Sequence, residues 1–164
     1  MPNAKNIIKV ELVFYGKIVG KQKLSKTLNI LGGYTYIVNG RKCGREEIYT
    51  ILLSAGFPPG NPYFEIFLKD DPVGTAANKD TEKEAQENDY DKDLKADIYI
   101  VLDNRSKALD LTEDVVTFSK KHNSSAELEY FITGVQCRTR DMREIFAGAG
   151  IKQGTPVYDV LLDE

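Results

Sequence analysis

The sequence predicts an α+β fold built from two tandem copies of one β-rich unit, each with a hairpin and one helix. Three observations predict it. First, the chain matches itself at a fixed spacing: Tyr36, Gly40, Cys43, Glu47, Ala55, Gly56, Pro62, Phe64 and Glu65 recur as Tyr130, Gly134, Cys137, Asp141, Ala149, Gly150, Pro156, Tyr158 and Asp159. Second, both copies carry an apolar stripe at helical spacing, Ile48, Ile51, Leu52 and Ala55 in one and Met142, Ile145, Phe146 and Ala149 in the other. Third, apolar segments with strand periodicity flank these helices, and Val10–Phe14 corresponds to Ile98–Leu102 at a slightly shorter spacing. About six more residues therefore separate first strand from hairpin in copy two.

In order, residues 1–6 read as a loose polar tail. Ile7–Phe14 is a strand with Ile8, Val10, Leu12 and Phe14 on one face. Lys17–Lys26 is too polar for more than a connection with a short strand, and Leu28–Leu31 is a further strand candidate before Gly32-Gly33. Asn39-Gly40 closes a two-residue hairpin after Tyr34–Val38, because Asn-Gly tolerates the positive φ that such a turn requires. The stripe predicts a helix from about Arg45 to Ala55, ended by Gly56 and barred from continuing by Pro58-Pro59. Tyr63–Leu68, dense in aromatic and β-branched residues, reads as a closing strand. Copy two repeats the order: strand Ala96–Leu102, a turn at Asp103-Asn104, strand Val115–Phe118, a loop over Lys120–Ser125, a hairpin at Thr133-Gly134, a helix, and a last strand Val157–Leu162.

Residues 70–95 break the pattern. They hold nine acids against four lysines, a net charge of −5 within a chain of net −3, and their only large apolar residues are Val73, Tyr90 and Leu94. Such a segment buries too little surface to offset its ordering entropy and is expected to be a disordered acidic linker. The domain boundaries are accordingly 6–69, 70–95 and 96–164. No stretch approaches 18 apolar residues and the first residues are polar, so neither a membrane span nor a secretion signal is expected. Cys43 and Cys137 stand at equivalent positions. A disulfide between them is conceivable, but two lone thiols without a secretion signal more often remain reduced.

The chemistry-bearing residues are sparse. Gly32-Gly33 and Gly148-Ala149-Gly150 lack the lysine and hydroxyl residue of a phosphate loop. One histidine, His122, and two separated cysteines make no metal set, and His122 reads as an exposed loop residue. The recurring acids Glu47/Asp141 suit a helix's first turn, and Glu65/Asp159 fall on the solvent side of the expected strands. No catalytic residue, cofactor or metal site is expected. For binding, tyrosine and arginine are the common interface anchors, which singles out Tyr34, Tyr49 and Tyr63 in copy one. In copy two it singles out Arg138, Arg140 and Arg143, standing where copy one has Gly44, Glu46 and Tyr49.

Leu52-Leu53-Ser54-Ala55-Gly56-Phe57 followed by Asn61-Pro62-Tyr63-Phe64 resembles the N-terminal head lobe of SMC (structural maintenance of chromosomes) ATPases, closest to a cohesin SMC subunit. Ala96–Asn104 resembles the same lobe's strand ending in Phe-Asp-Asn, and Leu109–Val116 resembles the continuation of that strand in the family. The departures bear on function. The Walker A loop that precedes this region in the family is absent, as are the signature motif, Walker B, coiled coil and hinge. The Q-loop glutamine falls on Leu68 and Leu162, and the family's regulatory lysine pair falls near Gly32-Gly33 and Ala126-Glu127. The resemblance implies a duplicated, non-catalytic piece of an SMC head, acting as an adaptor or scaffold with protein partners in a nuclear, chromosome-associated assembly. The alternative is a direct nucleic-acid-binding or nucleotide-sensing regulator, with Lys17–Lys26 and Arg138–Arg143 as the basic stretches. The two copies are expected to pack as a pseudo-twofold internal dimer, or else to hang as beads on a string.

The missing phosphate loop and the two leucines at Q-loop positions predict that calorimetric titration with magnesium-ATP gives no binding isotherm. Micromolar affinity would contradict that expectation.

Overall fold

The computed structural model describes residues 7–16, 20–29, 33–68, 96–105, 107, 109–125 and 127–162. Eight strands form one antiparallel sheet: β1 Ile7–Gly16, β2 Gly20–Leu28, β3 Tyr34–Val38, β4 Arg41–Cys43, β5 Ala96–Asp103, β6 Val115–His122, β7 Leu128–Ile132 and β8 Val135–Cys137. Four helices are α1 Arg45–Ala55, α2 Pro62–Leu68, α3 Thr139–Ala149 and α4 Pro156–Leu162. The strand order is β4-β3-β2-β1-β5-β6-β7-β8, so each half contributes a four-strand meander and the halves meet where β1 pairs with β5. The expected linker, 70–95, lies outside the described residues, as does Ile30-Leu31.

The seam is apolar. Val10 faces Ile100, Leu12 faces Ile98 and Phe14 faces Ala96, and all of these are buried beneath the helices. α2 packs on α4 across the seam, with α1 beside α2 and α3 beside α4. The core is thus shared: Ile66, Phe67, Val157, Val160 and Leu161 are buried together with the central strands. The opposite face of the seam is more polar, and there Glu11, set between Ser25 and Tyr99, takes an ion pair from Lys23 at 2.8 Å.

Several expectations hold in detail. Both hairpins turn on two positive-φ residues, Asn39 and Gly40 in one and Thr133 and Gly134 in the other. α1 begins and ends at the predicted residues, burying Ile48, Leu52 and Ala55, and α3 buries Met142, Phe146 and Ala149. Each helix closes on a left-handed glycine. Gly56 N–H bonds to the Leu53 carbonyl and Phe57 N–H to that of Leu52, and Gly150 and Ile151 repeat this with Ala147 and Phe146. Crossed bonds of this kind, with an apolar residue just past the glycine, are a standard helix stop.

Other expectations are overturned. Tyr63–Leu68 and Val157–Leu162 are helices, because Asn61-Pro62 starts one: the Asn61 side chain accepts the Tyr63 N–H at 2.8 Å and proline suits the first helical position. Glu65 and Asp159 consequently do not point off a strand; each accepts a backbone N–H, from Gly60 and Gly154 respectively, at 3.0 Å. Ile7 rather than Ile8 is buried, since a bulge between Ile7 and Lys9 shifts the alternation. The polar run Lys21–Lys26 belongs to a nine-residue strand, and Lys120–His122 continues β6 instead of forming a loop. Finally, Asn104 is no simple turn residue. It is fully buried, and its side chain bonds to the Leu111 and Glu113 carbonyls and the Leu109 N–H, organising the longer connection of the second half.

A single sheet with a shared core predicts one cooperative unfolding transition. Leu12→Ala at the seam should lower stability by about 2–5 kcal/mol in urea denaturation while keeping one transition. Two separated transitions, or a loss below about 1 kcal/mol, would contradict the shared core.

Candidate protein-interaction groove

A cavity of about 400 Å³ opens between α1 and α2, lined by Arg45, Glu46, Tyr49, Phe64, Glu65 and Leu68. The stop at Gly56 turns the chain so that α2 returns alongside α1. Tyr49 and Phe64 then meet edge to face, their centroids 5.4 Å apart at 71°. Tyr49 remains 45% exposed. The floor is apolar and the rim charged. Arg45 is turned to the backbone, its guanidinium donating to the Leu68 carbonyl, and Glu65 holds the Gly60 N–H through Oε2.

The second half places different side chains at the corresponding positions. Arg140 stands where Glu46 does, Arg143 where Tyr49 does, and Tyr158 and Asp159 where Phe64 and Glu65 do. Arg138 and Arg140 are exposed and Arg143 half-buried. Arg138 precedes α3 and pairs with Asp141 at 3.6 Å, while Arg143 reaches Thr139 Oγ1 at 3.5 Å. The Arg138 N–H, donated to Asp141 at 3.1 Å, and the Arg138 charge hold that carboxyl below its ordinary pKa. In the first half, the Arg41 guanidinium 2.5 Å from Glu47 does the same for Glu47. Both acids sit in first helical turns, as expected.

Of the sequence candidates, only Tyr49 lines the groove. Tyr34 is half-buried, donates to the Ile7 carbonyl at 3.1 Å and lies under the Lys26 ammonium, 4.5 Å from its ring centroid. Tyr63 is half-buried at the seam, its ring 5.1 Å from Phe57 and 5.4 Å from the Lys120 ammonium of the other half. Burial, with the Asp97 charge adding to it, pushes the Tyr63 hydroxyl up to about 12. Both side chains thus make contacts within the fold and lie away from the groove lining.

Sequence reasoning missed the rest of the groove, because reading 63–68 as a strand dispersed Phe64, Glu65 and Leu68. It also missed Lys26, which is 1% exposed and donates to the Phe67 carbonyl at 3.2 Å. Lys26 and Lys120 share the repeat spacing, which was the available signal. His122 is not a free loop residue: its ring Nδ1 lies 3.0 Å from Asp97 Oδ1, which also accepts the His122 N–H. Cys43 and Cys137 are free thiols on strands at opposite ends of the sheet. Seven strand steps of about 4.8 Å separate them, which excludes a disulfide within one chain. Among the described residues, no three His, Cys, Asp or Glu side chains are grouped to hold a metal ion.

No protein-family model matches the chain. It is 43% identical over 64 residues to the chromosome partition protein Smc of Clostridium kluyveri, covering 39% of this chain. It is 31% identical over 67 residues to that of Halothermothrix orenii, covering 41%. The matched stretch is only 5% and 6% of those proteins' lengths. Among solved structures, an SMC ATPase studied in ATP-driven dimerization overlaps 90% of this chain and 81% of its own, at 19% identity and a TM-score of 0.45. The Pyrococcus furiosus Smc head domain bound to the C-terminal domain of ScpA overlaps 89% of this chain and 33% of its own, at 14% identity and a TM-score of 0.45.

The raised Tyr63 pKa carries a pH dependence. The fold favours the protonated phenol, so the contribution of Tyr63 to stability is intact below its ordinary value of about 10 and is lost as pH rises through about 12. The melting temperature of the wild type should therefore fall more steeply than that of Tyr63→Phe over that window, lysine deprotonation being common to both. Parallel profiles would contradict the assignment.

Proposed function

We propose that the chain is a non-catalytic protein-interaction module made of two diverged SMC-head-type units packed as an internal dimer, serving a chromosome-partition assembly. The observation that carries this reading is the strand order, which runs through the same four-strand meander from either edge to the β1–β5 seam. Corresponding helices follow in each half, α1 and α3 of 11 residues and α2 and α4 of 7. The matches to the Smc relatives, 64 and 67 residues long, are about the length of one such half. A unit of that size is marginal alone, and pairing two supplies the missing core.

The adaptor role is supported by where the halves differ. Core positions keep their character, as with Ile48 and Met142, Leu52 and Phe146, Ala55 and Ala149. The outer helix positions change sign or chemistry, as with Glu46 and Arg140, Tyr49 and Arg143. Changes of charge on the outer helix positions give the chain two different binding faces.

Two measurements test the reading. Residues 1–69 and 96–164, expressed separately, should show neither dispersed amide spectra nor a cooperative melt, since each loses the seam; independent folding would contradict the internal dimer. Affinity capture of the tagged full chain from its native cells should enrich chromosome-partition proteins, and Tyr49→Ala should reduce that enrichment with little change in melting temperature. Enrichment of no such protein would overturn the assembly assignment.

A further inference from the structure

The α1–α2 groove has the makings of a guanidinium receptor. Tyr49 and Phe64 supply aromatic surface, Leu68 closes the apolar floor, and the Glu46 and Glu65 carboxylates stand on the rim. Among the described residues of the lining, Arg45 is the one cation and donates to the Leu68 carbonyl, while Glu65 holds the Gly60 N–H through one carboxylate oxygen, so these described residues carry a net charge of −1. A flat, weakly hydrated cation that stacks on rings and pairs with carboxylates fits such a place better than an ammonium.

The other end of the molecule carries that cation. On α3, Arg138 is held by Asp141 and Arg143 reaches Thr139. Arg140 is exposed, and its charge adds to the field that lowers the neighbouring Asp141 carboxyl. It also occupies the position at which the first half has Glu46, so the groove rim and the α3 surface are opposite in charge at matching places. Resting on the interaction-module reading above, we propose that the groove receives Arg140 of a second copy of this chain, so that copies associate head to tail. Within one copy the contact is barred, because α2 and α4 lie between α1 and α3. A pair joined by one such contact keeps a free groove at one end and a free Arg140 at the other, so further copies can add.

Sedimentation velocity on the full chain tests this, from about 10 μM to about 1 mM at low salt, a range that registers even weak contacts. The wild type should form dimers and larger species that dissociate in about 0.5 M salt, where the Debye length falls to a few ångströms. Glu46→Arg and Arg140→Glu should each weaken association at least about tenfold. An equimolar mixture of these two variants retains one good groove and one good arginine, so it should stop at dimers. The chain bearing both substitutions should regain association, since the charges are exchanged. Circular dichroism on each variant establishes that it is folded. A wild type that stays monomeric, a closed dimer that never grows, single variants that associate normally, or a double variant that stays apart would each overturn the proposal. A monomer that still captures partition proteins would overturn this inference alone and leave the module reading in place.

Discussion

Antiparallel pairing of β1 with β5 is the contact on which the rest of the structure depends. It places Val10, Leu12 and Phe14 against Ile100, Ile98 and Ala96 and converts two four-strand meanders into one sheet. Each of these side chains is fully or nearly buried and contributes about 1.5–3 kcal/mol at the larger sizes. The pairing also fixes the helix layer. α2 and α4 both cross above the seam and pack on each other, which carries α1 and α3 outward to either side. At the sheet's outer limits stand β4 and β8, each only three residues long, and short edges resist pairing with stray strands.

A second constraint is polar. No glycine closes α2 within Pro62–Leu68, and its last carbonyls take side-chain donors instead: Lys26 and Tyr36 at Phe67, Arg45 at Leu68. Terminal helix carbonyls need such partners when they face the core. Lys26 comes from the strand next to β1 and Arg45 from the start of α1, so the end of one short helix ties sheet, helix layer and groove together. The groove's floor is therefore held by the same residues that stabilise the fold, whereas Glu46 and the exposed Tyr49 lie outside that network. At the matching positions of the other half stand Arg140 and Arg143.

The sequence made parts of this legible and concealed others for identifiable reasons. Helical spacing and glycine stops placed α1 to the residue, because Ile48, Leu52 and Ala55 face the core and Gly56 alone takes a left-handed φ there. The run Tyr63–Leu68 misled because β-propensity and burial look alike when every side of a short helix is covered; Asn61-Pro62 was the better signal. β2 was hidden by Lys26, a charged residue at a core position, which breaks the alternation expected of a strand. The bulge at Ile7/Lys9 and the Asp97–His122 contact depend on cross-strand neighbours that no single segment reveals. Of the groove, Tyr49 and the opposing arginines were visible as residue types, but their relation required the return of α2.

Pairing at β1–β5 should make the chain one cooperative body. Native-state hydrogen exchange measures this most directly, because amides that open only in global unfolding share one free energy. The slowest amides of β1, β2, β5 and β6 should exchange with the same opening free energy and the same denaturant dependence. Core amides of one half opening at a distinctly lower free energy than those of the other would contradict it.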